Sequence, residues 1–399
     1  MGGMTLLPPA EWRERAGLAR LVAALGVGNA RIVGGAVRDT LLGIETADID
    51  LATPHDPRTV IDLLEAAGIK AVPTGIDHGT ITAVSSDEVY EVTTLRRDVT
   101  TDGRRATVAY TDDWREDAAR RDFTINALYA DPETGKIHDY FGGIADLEAR
   151  HVRFIGDPYR RIAEDHLRIL RFFRFLARFG DIADPEGLQA CTERANDLMA
   201  LSRERIANEL LRLLVAPRAI EVVALMIERG VFVPVLPEIA SVERLADLAK
   251  READSGIAPD PIRRLAALLP ADPAVAASVG ARLKLSNKQR QRLESATLPV
   301  DTDPHALAYR LGTEFAVDRL LLSGGDAAAI RDWARPRLPM SGGQLVAKGL
   351  KAGPDVAKTL RAIEDRWIAE QFPDAARVAV ITDEEVAQSL FENSRKSEF

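Results

Sequence analysis

A chain of 399 residues is long for a single hydrophobic core, so a first domain followed by further domains is expected. Hydrophobic residues at 46% and charged residues at 28% describe a globular protein, and no apolar run approaches the roughly 20 residues that span a bilayer. The net charge of −9 weighs against a nucleic-acid partner, the single Cys191 excludes an internal disulfide, and the Cys/His spacings of a zinc site are absent. With no basic segment in Met1 to Ala10 to start a secretory signal, the expectation is a cytoplasmic protein without membrane or zinc partners.

Arg31 to Val37 reads as an apolar strand running into a Gly34-Gly35 turn, and Val37 to Leu42 as the start of a helix. Glycines between strand and helix let bare backbone N–H groups and a helix N-terminus approach a triphosphate. Asp48 to Ala52 reads as a second strand. Alternate strand residues face one side, so Asp48 and Asp50 can grip the same hard cations, as two-metal phosphoryl transfer requires. Gly79 to Val84 and Val89 to Thr94 alternate apolar and polar residues around Ser85-Ser86-Asp87-Glu88, a hairpin signal. Glu91 on its second strand is either a third carboxylate beside the metal-binding strand or a solvated strand residue. The polar stretch Arg96 to Arg120, with Gly103, reads as a long mobile loop, and the first part of the chain is α+β.

Beyond it comes a basic block: Arg150, Arg153, Arg160, Arg161, Arg168, Arg171, Arg174 and Arg178 stand against Asp157, Glu164 and Asp165, with no lysine. Guanidinium suits bidentate contacts to phosphates and base edges, although a solvated helix face has the same composition. After Asp157-Pro158 the apolar spacing is helical, and it stays so to the end, broken at Asp184-Pro185, Ala216-Pro217, Pro234 to Pro237, Ala258 to Pro261 and Arg335 to Pro339. The implied division is 1–150, 151–215 and 216–399. Trp333, Trp367 and Phe372 read as core or interdomain residues rather than stacking platforms.

Taken together, Gly34 to Asp39 followed by Asp48-Ile49-Asp50 resembles the class II branch of the polymerase-beta-type nucleotidyltransferases, the tRNA CCA-adding enzymes and bacterial poly(A) polymerases. Further motifs follow in order. Arg120 to Leu128 resembles the family's ribose-recognising segment, Asp139-Tyr140-Phe141-Gly142-Gly143 the turn closing the catalytic domain, Glu164 to Arg168 the base-reading helix, and Leu201 to Ile206 the helix that braces it. The pair His138-Asp139 imitates a phosphohydrolase dyad but belongs to that turn, so no hydrolase domain is expected. Two positions depart from the family: His166 stands where proline is usual, and Gln344 where related tails often carry Asp.

The resemblance implies an α+β polymerase-beta-type nucleotidyltransferase domain at 1–150, a helical base-reading domain at 151–215 and a helical RNA-binding body and tail at 216–399. It implies Mg²⁺ on Asp48 and Asp50, Gly34, Gly35, Arg38 and Arg121 on the triphosphate, and Asp122 and Asn126 near the ribose. Asp165 and Arg168 are placed on the base, with Arg171 and Arg174 completing the nucleotide and primer site. The implied reaction is template-independent addition of CMP, CMP and AMP from CTP and ATP to the 3′ end of tRNA, releasing pyrophosphate. A poly(A) polymerase shares these motifs, but Asp383-Glu384-Glu385 makes the end of this chain acidic and Gly349 to Pro354 resembles the CCA-adding tail. A non-catalytic RNA-binding protein on the same scaffold is the alternative from another class.

Base choice follows from hydrogen bonding. Asp165 and Arg168, three apart on an expected helix, are neighbours on one face; an ionised Asp only accepts and Arg only donates. Cytosine and adenine both show an exocyclic amine beside a ring-nitrogen acceptor, whereas uracil and guanine show the reverse order. The pair therefore suits C and A without a nucleic-acid template.

Overall fold

Seven Asp-Pro steps punctuate the chain, and all but Asp131-Pro132 begin a helix. Asp56, Asp157, Asp184, Asp260 and Asp303 accept hydrogen bonds from backbone N–H groups of the first turn, and the proline that follows occupies a position whose missing N–H costs nothing. The computed structural model describes residues 5–46, 48–101 and 106–396. These fall into two units, one reaching Val242 and including Arg282–Lys284, the other starting at Glu243.

The first unit opens with α1 (Ala16–Leu25), β1 (Arg31–Val33), α2 (Gly35–Leu41), β2 (Asp50–Thr53) and α3 (Pro57–Ala66). Strands β3 (Lys70–Gly75), β4 (Thr80–Ser85) and β5 (Glu88–Thr94) follow, then β6 (Arg96–Thr101), β7 (Ala106–Tyr110), α4 (Trp114–Ala119), β8 (Leu128–Ala130) and β9 (Ile137–Asp139). Seven strands make one sheet in the order β3-β4-β5-β2-β1-β8-β9, with β2 parallel to β5 and the other neighbours antiparallel. Leu18, Leu21 and Leu25 of α1 and Val60 and Leu64 of α3 join Ile32, Leu51, Ile81 and Val92 of the sheet in one buried cluster. The expected hairpin is β4–β5, turned by Ser86 and Asp87 in the left-handed region that two-residue hairpin loops require.

Two expectations are corrected here. The strand expected to reach Val37 stops at Val33, because Gly34 turns the chain and Gly35 already starts α2. The segment expected as one mobile loop from Arg96 to Arg120 instead contains the antiparallel pair β6–β7 and helix α4, which is capped by Asp113. Gly103 lies outside the described residues.

The chain continues with α5 (Gly143–Glu148), β10 (His151–Val152), α6 (Pro158–Glu164), α7 (Arg168–Phe179), β11 (Ile182–Ala183), α8 (Pro185–Glu193), α9 (Arg203–Leu214) and α10 (Ala219–Glu228). The two-residue strands β10 and β11 pair in parallel within this otherwise helical part. Phe123, from the segment before β8, packs 5.1 Å from Phe175 and 5.0 Å from Phe154, which stacks on Phe172 at 5.5 Å. Residues on both sides of position 150 thus share one aromatic core. A third correction concerns base reading: Asp165 and Arg168 do not share a helix. Asp165 is extended (φ −150°, ψ 107°) and ends α6, and Arg168 begins α7.

The second unit runs in helices from Glu243–Asp254 to Ala375–Lys396, with no strand among the described residues. Trp367 is buried, and Trp333 and Phe372 pack beside it, as expected of core residues. Gln344, the departure from the family pattern, completes a reciprocal cap with Ser341 at a helix start. No helix among the described residues is long and apolar enough to cross a membrane.

The turn after β9 clamps the segment that leads into the site. The Asp139 carboxylate accepts from the backbone N–H groups of Phe141, Gly142, Gly143 and Ile144, which leaves no role for it in a His-Asp dyad. A Cβ on Gly143 would lie 2.3 Å from the carbonyl oxygen of Thr124, two residues before Asn126. Gly143→Ala is therefore expected to force these backbones apart, costing about 1–3 kcal/mol as overpacking does. Thermal unfolding checks this: an unchanged midpoint would mean that the close approach is absent.

Candidate active site

Register places the first acidic pair. Asp50 opens β2 directly beside Glu91 on the parallel β5, adjacent strands lying about 4.8 Å apart. Asp48 precedes the strand, yet the alternation holds: Ile49 and Leu51 are buried, Asp48 is exposed and Asp50 half-buried. Among the described residues none of these three carboxylates makes a side-chain hydrogen bond or ion pair. Burial first, then the charges of Glu91 and Asp48, push the Asp50 carboxyl above the usual carboxylate range, against the pull of Arg121. Crowded, uncompensated oxygens fit a hard cation. They do not form a ready cage, since among the described residues no three His, Cys, Asp or Glu side chains gather closely enough to hold an ion unaided.

Asp50 also borders a cavity of about 350 Å³ whose wall includes Gly34, Gly35, Arg38, Arg121, Asp122 and Asn126. Asp165, Arg168 and Arg171 line it as well. Ten of the expected site residues are thus gathered in one place within the first unit. Gly34 holds φ +63°, and a Cβ there would sit 3.3 Å from Nη1 of Arg121, so both backbone and space call for glycine.

Asp122 is the hub of the cavity. Its Oδ1 accepts from the Phe123 N–H and the Asn126 amide, both at 2.9 Å, and its Oδ2 accepts from Nε of Arg171 at 2.7 Å and pairs with Nη2. Burial alone would raise this carboxyl, but Arg171 and the hydrogen bonds outweigh it and hold the pKa at about 2. Asn126 in turn accepts from Nη1 of Arg38, whose guanidinium pairs with Asp39 at 2.7 Å and lies over the Phe179 ring. Asn126 keeps one N–H and one lone pair uncommitted.

Asp165 and Arg168, the pair expected to read the base, are similarly half-occupied. Arg205 of α9 donates to both oxygens of Asp165 at 3.1 and 3.0 Å, and the Leu167 N–H takes a second position on Oδ1, leaving one acceptor site on Oδ2. Arg168 donates to the Arg161 carbonyl, to Glu164 and to the Arg120 carbonyl, which leaves two of its five N–H groups. The expected bracing role of Leu201 to Ile206 is visible in Arg205.

Some expected members lie elsewhere. Asp48 and Glu91 are outside the cavity lining. Arg174 is turned away: it pairs with buried Glu209 at 2.5 Å and covers Phe175. The arginine block is not a free basic stripe, because seven of its eight members lie within ion-pair distance of a carboxylate, namely Arg150, Arg153, Arg160, Arg161, Arg168, Arg171 and Arg174.

Sequence reasoning missed three residues that shape the cavity. Phe175 has the guanidiniums of Arg38, Arg171 and Arg174 at 5.3, 5.3 and 4.4 Å from its ring centre, so its π-face helps to hold like charges together. Asp117 and Tyr129 orient the arginine pair: Asp117 accepts from Tyr129 at 2.5 Å and Arg120 at 2.9 Å, and Arg121 donates to Tyr129 at 3.0 Å. The spacing Asp117-x-x-Arg120-Arg121 is a helical i, i+3, i+4 signal that could have identified Asp117, whereas Tyr129 carries no such local signal.

Burial would raise the Asp117 carboxyl, yet Arg121, Arg120 and the Tyr129 hydroxyl bring its pKa down to about 2. A depressed folded-state value means stabilisation that is present above the ordinary 3.8 and lost as pH falls through about 2. Asp117→Asn is expected to be less stable than the parent at pH 6, with a smaller gap at pH 3. Denaturant unfolding at both values measures this, and an equal gap at the two would contradict it.

Comparison with known proteins agrees with the geometry. Residues 30–153 match the poly A polymerase head domain, and residues 183–243 match a family described as the probable RNA and SrmB-binding site of polymerase A. The human mitochondrial CCA tRNA nucleotidyltransferase 1 is 36% identical over 366 residues, covering 84% of this chain and 82% of its own. The CCA-adding enzyme of Levilactobacillus brevis is 30% identical over 382 residues, covering 89% and 94%. Among solved structures, a Bacillus stearothermophilus CCA-adding enzyme in complex with CTP superposes with a TM-score of 0.69 at 25% identity, covering 96% of this chain and 98% of that one. With a head-domain match that takes in Asp48, Asp50, Asp122 and Asn126, and relatives aligned over most of both lengths, this chain belongs to the class II CCA-adding enzymes, a family of nucleotidyltransferases.

Proposed function

We propose that this chain adds CMP, CMP and AMP from CTP and ATP to the 3′ end of tRNA, with Asp48 and Asp50 holding two Mg²⁺ ions. The observation that carries this reading is the joining of a phosphate side, Asp50 with Gly34 and Arg121, to a base side, Asp165 with Arg168, across one cavity. Carboxylate oxygens suit Mg²⁺, which when bound neutralises phosphate charge and activates the attacking 3′-hydroxyl. Glu91 adds to the negative field beside Asp50. Cys191 is free and buried, which suits a reducing cytoplasm; the vertebrate relatives are named as mitochondrial, and imaging of the tagged chain decides the compartment.

The chain's own residues then orient the substrates. Arg121, fixed by Asp117 and Tyr129, meets the triphosphate over the bare Gly34-Gly35 backbone, and Arg38 supports it by holding Asn126. Asn126 offers its remaining donor and acceptor to the ribose hydroxyls, while Asp122 acts by holding Asn126 and Arg171. The open site on Asp165 accepts from the exocyclic amine of C or A, and Arg168 donates to the adjacent ring nitrogen. Uracil and guanine leave both groups mismatched, each costing on the order of 1–3 kcal/mol. The head and base-reading parts, 1–150 and 151–215, divide this work, and the remainder, 216–399, binds the RNA body.

The test is incubation with tRNA lacking its 3′ end and each NTP, separately and together, followed by product sequencing. Growth should stop at CCA; a long A tail would make the enzyme a poly(A) polymerase. Asp48→Ala and Asp50→Ala should each abolish use of both CTP and ATP with folding intact, and more than a few per cent of residual turnover by Asp48→Ala would sink the metal assignment. Asp165→Asn supplies a donor for O4 of uracil, so the CTP to UTP preference should fall roughly ten- to a hundredfold.

A further inference from the structure

His166 stands at the joint between α6 and α7, next to the residue on which base choice is proposed to rest. Asp165 is extended there, so the helical hydrogen bond that the backbone N–H of residue 166 would give to the Ile162 carbonyl is not made. The side chain replaces it: Nδ1 of His166 lies 3.0 Å from the Ile162 oxygen. A carbonyl only accepts, so Nδ1 carries the proton and donates. The same nitrogen is 3.7 Å from Oδ2 of Asp197, too far for a hydrogen bond, and Asp197 pairs instead with Arg194 at 2.9 Å.

Other bonds cross the joint: Nη1 of Arg168 donates to the Arg161 carbonyl at 2.9 Å and to Glu164 at 2.7 Å, and Arg205 grips the Asp165 carboxylate from α9. None of these replaces the missing bond to the Ile162 carbonyl, and the Asp165 N–H reaches the Arg161 carbonyl only at 3.4 Å, so the imidazole is what closes the backbone at the bend itself. Whatever fixes the bend fixes where the open oxygen of Asp165 points relative to Arg168. We propose that His166 is a specificity-positioning residue, whose imidazole closes the α6–α7 joint onto the Ile162 carbonyl and thereby sets the geometry with which Asp165 selects the base. This rests on the reading of Asp165 and Arg168 as the base-selecting pair.

The backbone supplies a discriminating test. An extended residue followed by an N–H that makes no backbone hydrogen bond is the setting that proline accepts, so His166→Pro stiffens the same joint without any side-chain donor. His166→Asn keeps an N–H donor near the place of Nδ1, and His166→Ala removes both. The experiment measures kcat and KM for CTP and for UTP on tRNA lacking its 3′ end, with the full chain in each variant and in Asp165→Asn, after circular dichroism has shown each to be folded. His166→Ala should lower the CTP to UTP ratio of kcat/KM about tenfold, the small end of what a positioning error costs, while Asn and Pro stay within about twofold of the parent. An unchanged ratio in His166→Ala alongside a shifted ratio in Asp165→Asn would overturn the role of His166 and leave the base-reading pair standing. Asn and Pro variants as indiscriminate as Ala would also overturn it, because neither donor nor stiffness would then substitute for the ring. If Asp165→Asn leaves the ratio unchanged, the base-reading assignment fails and this inference with it.

Discussion

The buried carboxylate of Asp122 is the constraint on which the active cavity depends. An ion removed from water costs several kcal/mol unless partners replace its hydration, and here three hydrogen bonds and the Arg171 ion pair do so. The donors come from separate places: the backbone of Phe123, the Asn126 amide and the guanidinium of Arg171 on α7. Meeting this one demand draws the segment before β8 and helix α7 together, and Asn126 extends the network to Arg38 on α2. The Phe123, Phe154, Phe172 and Phe175 cluster excludes water beneath it. Asp122 therefore ties α2, the segment before β8 and α7 into a single hydrogen-bonded network.

Against that background the unpaired acids stand out. In this unit Glu164, Glu209, Asp117, Asp122 and Asp146 each have arginine partners, whereas Asp48, Asp50 and Glu91 have none among the described residues. Asp50 is half-buried at the cavity edge without such a partner, whereas Asp48 and Glu91 are exposed and lie outside the cavity lining. The same economy explains how a chain with net charge −9 carries an arginine-rich block. Arg160, Arg161 and Arg168 converge on Glu164 at the α6–α7 joint, while Arg171 and Arg174 reach out from α7 to Asp122 and Glu209.

Much of this was legible in the residues. The Asp-Pro steps, the β4–β5 hairpin, the Gly34-Gly35 turn and the acidic pair are local signals: each needs only neighbours within a few positions, so composition and spacing reveal them. The hairpin β6–β7 was not legible, because a polar strand pair outside the main sheet lacks the apolar alternation by which half-buried strands are recognised. Arg174 was misplaced for a related reason. Spacing puts it on the helix that carries Arg168 and Arg171, but its rotation about α7 aims it at Glu209, thirty-five residues away.

The sequence by itself determined the chemistry available: which acids, arginines and glycines exist, in what order, and that they match a nucleotidyltransferase family. Only the tertiary structure decided which of them have spare hydrogen-bonding capacity. Asp165 and Arg168 turned out to meet across a bend rather than along a helix, and Asp122 to be a hub held by three hydrogen bonds while Asn126 retains a free donor and acceptor. The physical reason is that a carboxylate or guanidinium has the same valence wherever it stands in the chain, and its availability depends on partners such as Arg205, Arg120 and Arg171, brought near by folding from up to about fifty positions away.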